Sequence, residues 1–147
     1  MNKELDAKLC ERYPLIFAER RLPIQESCMA WGFSCGDGWF DLVDTLCRSL
    51  QFSTDRNHAP QALATQVKEK WGVLSFCAKG TNEWQRGAIA MAEAMSGRIC
   101  EECGQPGRLL VDQNGVFLTR CSEHAPDRVT TPAEYHARRA GSTASQG

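Results

Sequence analysis

The stretch that decides the fold is Cys100-Glu-Glu-Cys-Gly-Gln-Pro-Gly-Arg-Leu-Leu-Val-Asp-Gln-Asn-Gly-Val-Phe-Leu-Thr-Arg-Cys-Ser-Glu-His124. It contains two ligand pairs, Cys100 with Cys103 and Cys121 with His124, and two residues separate the members of each pair. This spacing lets a tight turn direct both side chains at one ion. Seventeen residues lie between the pairs and predict a hairpin with its turn at 112–115, where Asn-Gly is a strong hairpin signal. The sequence therefore predicts a Cys3His zinc ribbon.

Four protein ligands would complete a tetrahedral zinc shell and leave no position for a catalytic water. The predicted zinc is therefore structural, one ion per chain. A hairpin this short buries too little surface to order itself without the metal. We accordingly expect loss of Cys103 to unfold the C-terminal third of the chain rather than to block a chemical step.

Upstream of the ribbon, hydrophobic periodicity predicts three helices. The first covers residues 2–13 with Asn2 as its cap, and the second runs from about 38 to 52 with Asp37 as its cap. The third covers 83–97 and opens with an Asn82–Gln85 capping box. Its predicted buried face consists of Trp84, Ala88, Ala92 and Met95.

Between the second and third helices, residues 53–61 predict a loop and residues 73–78 predict a strand. Residues 61–71 are ambiguous, because Leu63, Val67 and Trp71 fit a helix while Val67, Glu69 and Trp71 fit an alternating strand. The predicted fold class is α+β, with helices packed on a small antiparallel sheet and a C-terminal Cys3His zinc ribbon hairpin. We expect an α+β core at 1–98, the ribbon at 99–125 beside the third helix, and a short helix with a disordered tail at 126–147. The tail is the last seven residues.

Composition excludes several classes of protein. The chain has 147 residues, 42% of them hydrophobic and 24% charged, which is typical of a globular domain rather than a disordered or fibrous chain. Its net charge of −1 gives no overall attraction to nucleic acid or to anionic membranes. No apolar run approaches the ~20 residues of a membrane helix, and the N-terminal residues lack the apolar core of a signal peptide. We therefore expect a cytoplasmic location.

Eight cysteines are many for a cytosolic chain, and without a secretory signal metal ligation is a better explanation than disulfides. Three of them belong to the ribbon. The other five are spread without ligand-like pairs, and we expect most of them to be small buried apolar residues. They are Cys10, Cys28, Cys35, Cys47 and Cys77.

Four stretches carry a resemblance to a known group. They are Cys28-Met-Ala-Trp-Gly-Phe-Ser-Cys-Gly-Asp-Gly-Trp39, Gln66-Val-Lys-Glu-Lys-Trp-Gly-Val-Leu-Ser-Phe76, Met91-Ala-Glu-Ala-Met-Ser96 with the Cys100-Glu-Glu-Cys-Gly104 that follows, and Thr119-Arg-Cys-Ser-Glu-His124. Together they resemble small proteins of tailed phages and prophages of proteobacteria. The resemblance implies a phage accessory protein in the bacterial host cytosol. Small phage proteins of this kind include inhibitors of host defence, such as anti-CRISPR proteins, and modulators of transcription.

Two kinds of surface residue are candidates for contacting a partner. Tryptophan is enriched at interface hot spots, and Trp31 is the best surface candidate because Trp39 and Trp84 fit apolar core patterns. Basic residues beside aromatic ones also occur where single-stranded nucleic acid binds. The candidates of that kind are Lys68, Lys70, Arg108 and Arg120. Lysines on a sheet edge are also routine protection against aggregation, and this explanation is the simpler one for Lys68 and Lys70.

Asp37, Asp41 and Asp44 share one helix face, as metal-binding carboxylates of a hydrolase would. Acidic residues in the first turns of a helix also suit its dipole, and that explanation is sufficient. The favoured function is therefore non-enzymatic binding of a host protein or nucleoprotein complex. The alternatives are a nucleic-acid-binding transcriptional regulator and a metal-dependent hydrolase.

Overall fold

Helices and short strands alternate along the chain. The computed structural model describes residues 1–144. In chain order the elements are α1 (Lys3–Arg12), α2 (Phe40–Asn57), β1 (Leu63–Lys70), β2 (Val73–Lys79), α3 (Glu83–Ser96), β3 (Arg108–Asp112), β4 (Phe117–Arg120), β5 (Val129–Thr130) and α4 (Pro132–Ala144). The fold class is α+β as predicted, with two small antiparallel sheets and the Cys3His hairpin in the C-terminal region.

Two of the predicted helix starts are confirmed in detail. The side chain of Asn2 accepts hydrogen bonds from the backbone N–H groups of Glu4 and Leu5, each at 3.0 Å. Asn82 and Gln85 form the predicted reciprocal capping box at the start of α3. Each cap satisfies backbone donors that a helix cannot pair internally, which fixes where α1 and α3 begin.

The ambiguous stretch 61–71 forms a strand. β1 pairs with β2 in an antiparallel hairpin with Val67 opposite Phe76 and Lys68 opposite Ser75. Because side chains alternate between faces, Val67 and Phe76 enter the core while Lys68 and Lys70 lie on the outer face. The helix α3 covers the free edge of β2, where the Glu93 carboxylate accepts from the Phe76 N–H at 2.8 Å.

The second helix supplies the main apolar stripe of the core, as predicted. Val43 and Leu50 of α2 are fully buried, as is Trp39 directly before the helix. The helix continues to Asn57, beyond the predicted end near Phe52, so the predicted loop at 53–61 is wrong at its start. Ser53 is buried, and Thr54 Oγ1 donates to the Leu50 carbonyl at 3.2 Å, so this polar run is compatible with a further helical turn.

Asp37 does not cap α2, contrary to the prediction. Residues Asp37–Trp39 form a 3-10 turn, and α2 begins only at Phe40. The Asp37 carboxylate instead accepts hydrogen bonds from the backbone N–H of Asn2 at 2.6 Å and from its side-chain amide at 2.7 Å. It therefore ties the start of α1 to the start of α2.

The buried face of α3 differs from the prediction. Ala92 is buried as predicted, but Trp84 is 56% exposed and Met95 is 47% exposed, and Ile89, which lies outside the predicted face, is buried. Gln85 is fully buried as well, and its amide donates to the Pro60 carbonyl at 2.9 Å. The helix is rotated so that Gln85 and Ile89 face inward, and Trp84, Met91 and Met95 are left at the surface.

The ribbon hairpin β3–β4 has the predicted position and turn, with Leu110 opposite Leu118. A third strand that was not predicted, β5, pairs with the other edge of β3. The helix α4 extends to Ala144 and so occupies the first four residues of the predicted disordered tail, 141–147. Residues 145–147 lie outside the described part of the chain.

Candidate metal centre

Two turns present the four candidate ligands. In the first, the Gly104 N–H donates to the Cys100 carbonyl at 2.8 Å, and Gly104 has a left-handed backbone with φ of 75°. In the second, the Ala125 N–H donates to the Cys121 carbonyl at 2.9 Å. Each turn places the two ligands of a pair on one side. Antiparallel pairing of β3 and β4 then brings the two turns together at the open end of the hairpin.

The donor atoms converge on one point. The Sγ atoms of Cys103 and Cys121 are 3.7 Å apart, and the Nδ1 atom of His124 is 3.8 Å from Cys100 Sγ and 3.2 Å from Cys121 Sγ. All four donor atoms lie within 4.8 Å of one another. Three thiols and one imidazole at these separations can hold a metal ion. Residues 1–144 contain no second group of three or more His, Cys, Asp or Glu side chains arranged in this way.

Burial and acidity differ among the ligands. Cys100 is fully buried, while Cys103 and His124 are exposed. Burial opposes ionisation of Cys121, yet hydrogen bonds with the His124 side chain and with the backbone of His124 and Glu123 outweigh it and lower the pKa of this thiol to about 6. A thiolate is the metal-binding form of cysteine, so the environment of Cys121 favours ligation near neutral pH.

The first turn of the ribbon docks on the segment that precedes α2. The Gly38 N–H donates to the Glu101 carbonyl at 2.8 Å, and the Trp39 indole N–H donates to the Ile99 carbonyl at 2.8 Å. A Cβ atom on Gly38 would lie within 3.0 Å of backbone atoms of Cys100, Cys103 and Gly104. The Gly-Asp-Gly-Trp motif at 36–39 therefore provides a side-chain-free surface for the metal-binding turn.

Arg120 forms ion pairs within the ribbon. One guanidinium nitrogen lies 2.9 Å from a carboxylate oxygen of Glu101, and the other lies 2.9 Å from Glu102. The second oxygen of Glu101 accepts from the Gly36 N–H at 2.9 Å. The Arg120 side chain is only 17% exposed. This chain of contacts links the two ligand turns to the core and weakens the predicted role of Arg120 in nucleic-acid binding.

The turn between β1 and β2 forms a second docking point. The Thr119 hydroxyl donates to the Gly72 carbonyl at 2.6 Å, and Thr119 is fully buried. A Cβ atom on Gly72 would lie within 3.0 Å of Leu109 and of the Leu118 backbone nitrogen. The ribbon thus contacts the core at two places, at Gly36 and Gly38 before α2 and at Gly72 in the β1–β2 turn. Sequence reasoning placed it only beside the third helix.

The other candidate binding residues are distributed over the surface. Trp31 is 70% exposed, as expected for a surface tryptophan. Lys70 and Arg108 are exposed, and Lys68 is half-buried on the outer face of β1. None of these residues contributes to the Cys3His group.

The acidic residues considered for a hydrolase do not form a metal-binding group. Asp37 is engaged by Asn2, as described above. Asp44 accepts hydrogen bonds from Arg12 at 2.8 Å and from the Tyr13 hydroxyl at 3.0 Å, and these contacts outweigh its burial and lower its pKa. Both carboxylates therefore hold the core elements together, which does not favour the hydrolase hypothesis.

The five cysteines outside the ribbon have mixed environments. Cys35 and Cys47 are buried, Cys10 is half-buried, and Cys28 and Cys77 are exposed, so burial was predicted for too many of them. Burial raises the pKa of the Cys35 thiol to about 12 and that of Cys10 to about 11. Thiols that stay protonated at neutral pH are poor nucleophiles.

Two surface features were missed by sequence reasoning. One is an apolar groove between α2 and α3 that exposes Trp84, Met91 and Met95. Their spacing along one face of α3 was visible in the sequence, but that face was assigned to the core. The other is a cluster of aromatic rings around Trp71, drawn from the β1–β2 turn, β4 and α4. No pattern within any one of these segments signals that they meet.

Comparison with known proteins gives no family. The chain matches no protein-family profile, no curated protein and no solved structure. None of the helices in residues 1–144 combines the length and apolar character needed to cross a bilayer.

Proposed function

We propose that this is a non-enzymatic binding protein whose ribbon is held by one structural zinc ion and whose partner is a bacterial host protein or nucleoprotein complex. The donor set supports zinc, since Cys3His is a common structural zinc combination. In a tetrahedral site with typical bond lengths, two sulfur ligands lie about 3.8 Å apart, and sulfur and nitrogen lie about 3.6 Å apart. The separations of 3.7 Å for Cys103–Cys121 and 3.8 Å for Cys100–His124 are close to these values, whereas Cys121 and His124, at 3.2 Å, lie closer together than in a regular tetrahedron.

A closed zinc site supports a binding role. Four protein ligands fill the coordination shell, so the metal has no free position at which to activate water. The contacts around it hold backbone segments together: Glu101 to Gly36 and Gly38, and Thr119 to Gly72. The ribbon thus fixes the relative positions of α2 and the β1–β2 hairpin.

The observation that carries the proposal is the apolar groove between α2 and α3. It has a volume of about 430 Å³, and Leu42 and Leu46 of α2 face Trp84, Met91 and Met95 of α3 across it. Trp84 is 56% exposed and Met91 is 63% exposed. Large apolar side chains grouped at a surface mark interaction sites more often than isolated ones do. Tryptophan is also the residue most enriched at binding hot spots, and methionine adapts its shape to a partner.

The form of the groove fits an amphipathic helix of the partner. Its walls are two antiparallel helices, with the α3 start near the end of α2 and Ile99 near Trp39. On α3 the lining runs from Trp84 to Met95, about 16 Å at 1.5 Å per residue. This length accommodates about three turns of a helix, whose apolar face would enter the groove as in other helix-in-groove complexes.

The resemblance to phage and prophage proteins supplies the biological setting of the proposal. A small accessory protein of a phage acts on components of the host cytosol, and an inhibitor of host defence or a modulator of transcription would need a surface for a host protein. The alternative of a nucleic-acid-binding regulator is favoured by a different surface, described in the next subsection. The hydrolase alternative has no supporting observation.

We expect substitutions in the groove to abolish partner capture. The experiment passes bacterial lysate, with and without nuclease treatment, over zinc-loaded, tagged protein, identifies the captured protein by mass spectrometry, and measures its affinity with purified components. Trp84→Ala and Met91→Glu should each weaken binding by at least about 30-fold, because hot-spot residues contribute about 2 kcal/mol or more.

The matched control is Trp31→Ala, which removes a tryptophan of similar exposure away from the groove lining. It should leave the affinity unchanged. Equal affinity of the groove variants and the native chain, or loss of binding only in Trp31→Ala, would contradict the groove as the site. Capture that disappears with nuclease would contradict a direct protein contact.

A further inference from the structure

Trp71 occupies an unusual position. It is the first residue of the two-residue turn between β1 and β2, and its backbone is left-handed with φ of 55°, next to Gly72 with φ of 78°. Turns of this kind prefer Asn-Gly, and a bulky residue in the left-handed region is strained. The Trp71 side chain is also 68% exposed. Neither turn preference nor core packing explains a tryptophan here, and strain of this kind is concentrated at functional sites.

Trp71 is part of a surface built by three separate segments. Its ring lies 5.9 Å from that of Phe117 on β4, and the Phe117 ring lies 5.8 Å from Tyr135 and 6.1 Å from His136 on α4. We call these four residues the Trp71 surface. The Phe117 ring contacts the Trp71 ring edge-on, and the exposed part of the tryptophan stays open to a ligand. A further aromatic contact, Tyr135 with His136 at 5.6 Å, lies within α4.

Positive charges flank the Trp71 surface. Lys68 and Lys70 lie on the outer face of β1, leading up to the turn. Within residues 1–144 neither lysine has a carboxylate oxygen within 4.0 Å, whereas Lys79 on the neighbouring strand is paired with Glu19. Two acidic residues lie beside Lys70 and Trp71: the Glu93 carboxylate accepts from the Phe76 N–H, and the Glu69 carboxylate accepts from the Gly72 N–H in the turn.

Basic groups also lie on the ribbon and on α4. Arg108 is exposed on β3 and Arg138 is exposed on α4. Both guanidinium groups help hold the pKa of Glu134 below its usual value, after the hydrogen bonds of that carboxylate with Thr131. Glu134 therefore offsets part of this charge, and the two lysines are the better phosphate contacts.

We infer that the Trp71 surface binds single-stranded nucleic acid, with a base stacked on Trp71 and the adjacent phosphates contacted by Lys68 and Lys70. An exposed aromatic ring with unpaired cations beside it is the combination that recognises an unstacked base and its backbone. A duplex cannot offer a base face, because its bases are stacked on one another. A shallow pocket of about 360 Å³ beside Lys70, Trp71 and Ser75 provides room for the base.

This inference is independent of the groove between α2 and α3, because the two sites use different faces of α3. Glu93 and Ala94 border the pocket at Trp71, whereas Trp84, Met91 and Met95 line the groove. Binding at both sites would suit a nucleoprotein complex as the target.

The test uses the zinc-loaded full chain and four fluorescent probes, a 15-mer of deoxythymidine, a 15-mer of uridine, and a DNA and an RNA duplex of equal length, read by anisotropy. We expect a single strand to bind with a dissociation constant below about 100 µM at low salt and at least tenfold tighter than the corresponding duplex. Preference for the deoxythymidine or the uridine probe would identify DNA or RNA as the natural strand.

Trp71→Asn is the decisive variant. This substitution gives the β1–β2 turn the Asn-Gly pair that such turns prefer, so the fold should be retained while the stacking ring is lost. We expect single-strand affinity to fall about tenfold or more, because stacking on one aromatic ring contributes that much. Trp71→Phe, which keeps a ring, should retain an intermediate affinity.

The double variant Lys68→Ala/Lys70→Ala should make single-strand binding less dependent on salt. The slope of log K against log salt, which is negative, should become shallower by about 1.4, since each phosphate contact contributes about 0.7 for a single strand. Trp84→Ala, in the groove, is the control and should bind like the native chain. Absence of single-strand binding, equal binding of the duplexes, or unchanged affinity in Trp71→Asn would overturn the inference.

Discussion

Cys103→Ala is expected to abolish the proposed zinc binding and to unfold the ribbon. The variant removes one of the four candidate ligands, and structural zinc can contribute on the order of 10 kcal/mol to folding. The ribbon has little else to order it, because its hairpin is short and its buried apolar residues are few, Leu110 and Val111 among them. We therefore expect zinc content near zero, loss of amide protection across residues 99–125, and destabilisation of the core that the ribbon contacts.

Because Cys103 is exposed, the effect of its replacement distinguishes a metal ligand from a packing residue. An exposed thiol contributes little to packing, so without a metal its replacement by alanine would be nearly neutral. Cys28→Ala and Cys77→Ala are matched controls, because these cysteines are also exposed and lie outside the ligand group. Both control variants should keep one zinc per chain and the native melting temperature.

The measurement is metal analysis of the purified protein combined with hydrogen exchange, with and without a chelator. Chelation of the native protein should reproduce the exchange pattern of Cys103→Ala. The zinc assignment would be wrong if Cys103→Ala and Cys28→Ala had equal metal content and equal melting temperature.

The ribbon was predictable from sequence because its determinants are local. The spacing of Cys100 with Cys103, and of Cys121 with His124, encodes two turns, and Asn114-Gly115 encodes the hairpin that joins them. The caps at Asn2 and Asn82 are local in the same sense. Each of these features depends on side chains within three or four residues of one another, and the structure has all of them.

The errors arose where distant parts of the chain decide the outcome. The polar run at 53–57 lacks an apolar pattern, yet it stays helical because α2 is long and Ser53 packs inward. Trp84 and Met95 looked like core residues, but the capping residue Gln85 takes the buried position and bonds with Pro60. β5 has only two residues, and its pairing with β3 could not be read from so short a segment.

The role of the Gly-Asp-Gly-Trp motif also depends on a distant contact. In the sequence it indicates a turn before a helix. In the structure its glycines contact the turn that carries Cys100 and Cys103, and the Trp39 indole N–H donates to the Ile99 carbonyl next to the first candidate ligand. Sequence spacing cannot show this relation, since residues 38 and 101 are far apart in the chain. The motif couples the metal site to the hydrophobic core that α2 organises.

Gly38→Ala is therefore expected to separate the ribbon from the core. The added methyl group would lie within 3.0 Å of the Cys100 carbonyl oxygen and of the backbone nitrogens of Cys103 and Gly104, none of which is a flexible side chain. Relief of the clash requires the ligand turn to move away, with loss of the Gly38–Glu101 hydrogen bond. Overpacking of this kind costs about 1–3 kcal/mol, and the lost hydrogen bond adds about 1 kcal/mol.

Gly87→Ala is the matched control, because Gly87 lies within α3 and a Cβ atom there meets nothing within 4 Å. Alanine favours a helix over glycine by about 1 kcal/mol, so this variant should be more stable than the native chain. The same substitution is thus expected to lower the free energy of unfolding at Gly38 and to raise it at Gly87. Urea denaturation of the zinc-loaded proteins measures both changes. Hydrogen exchange at residues 99–107 then shows whether the ribbon has moved. If Gly38→Ala were as stable as the native chain, or less stable without faster hydrogen exchange at residues 99–107, the ribbon would not depend on this contact with the core.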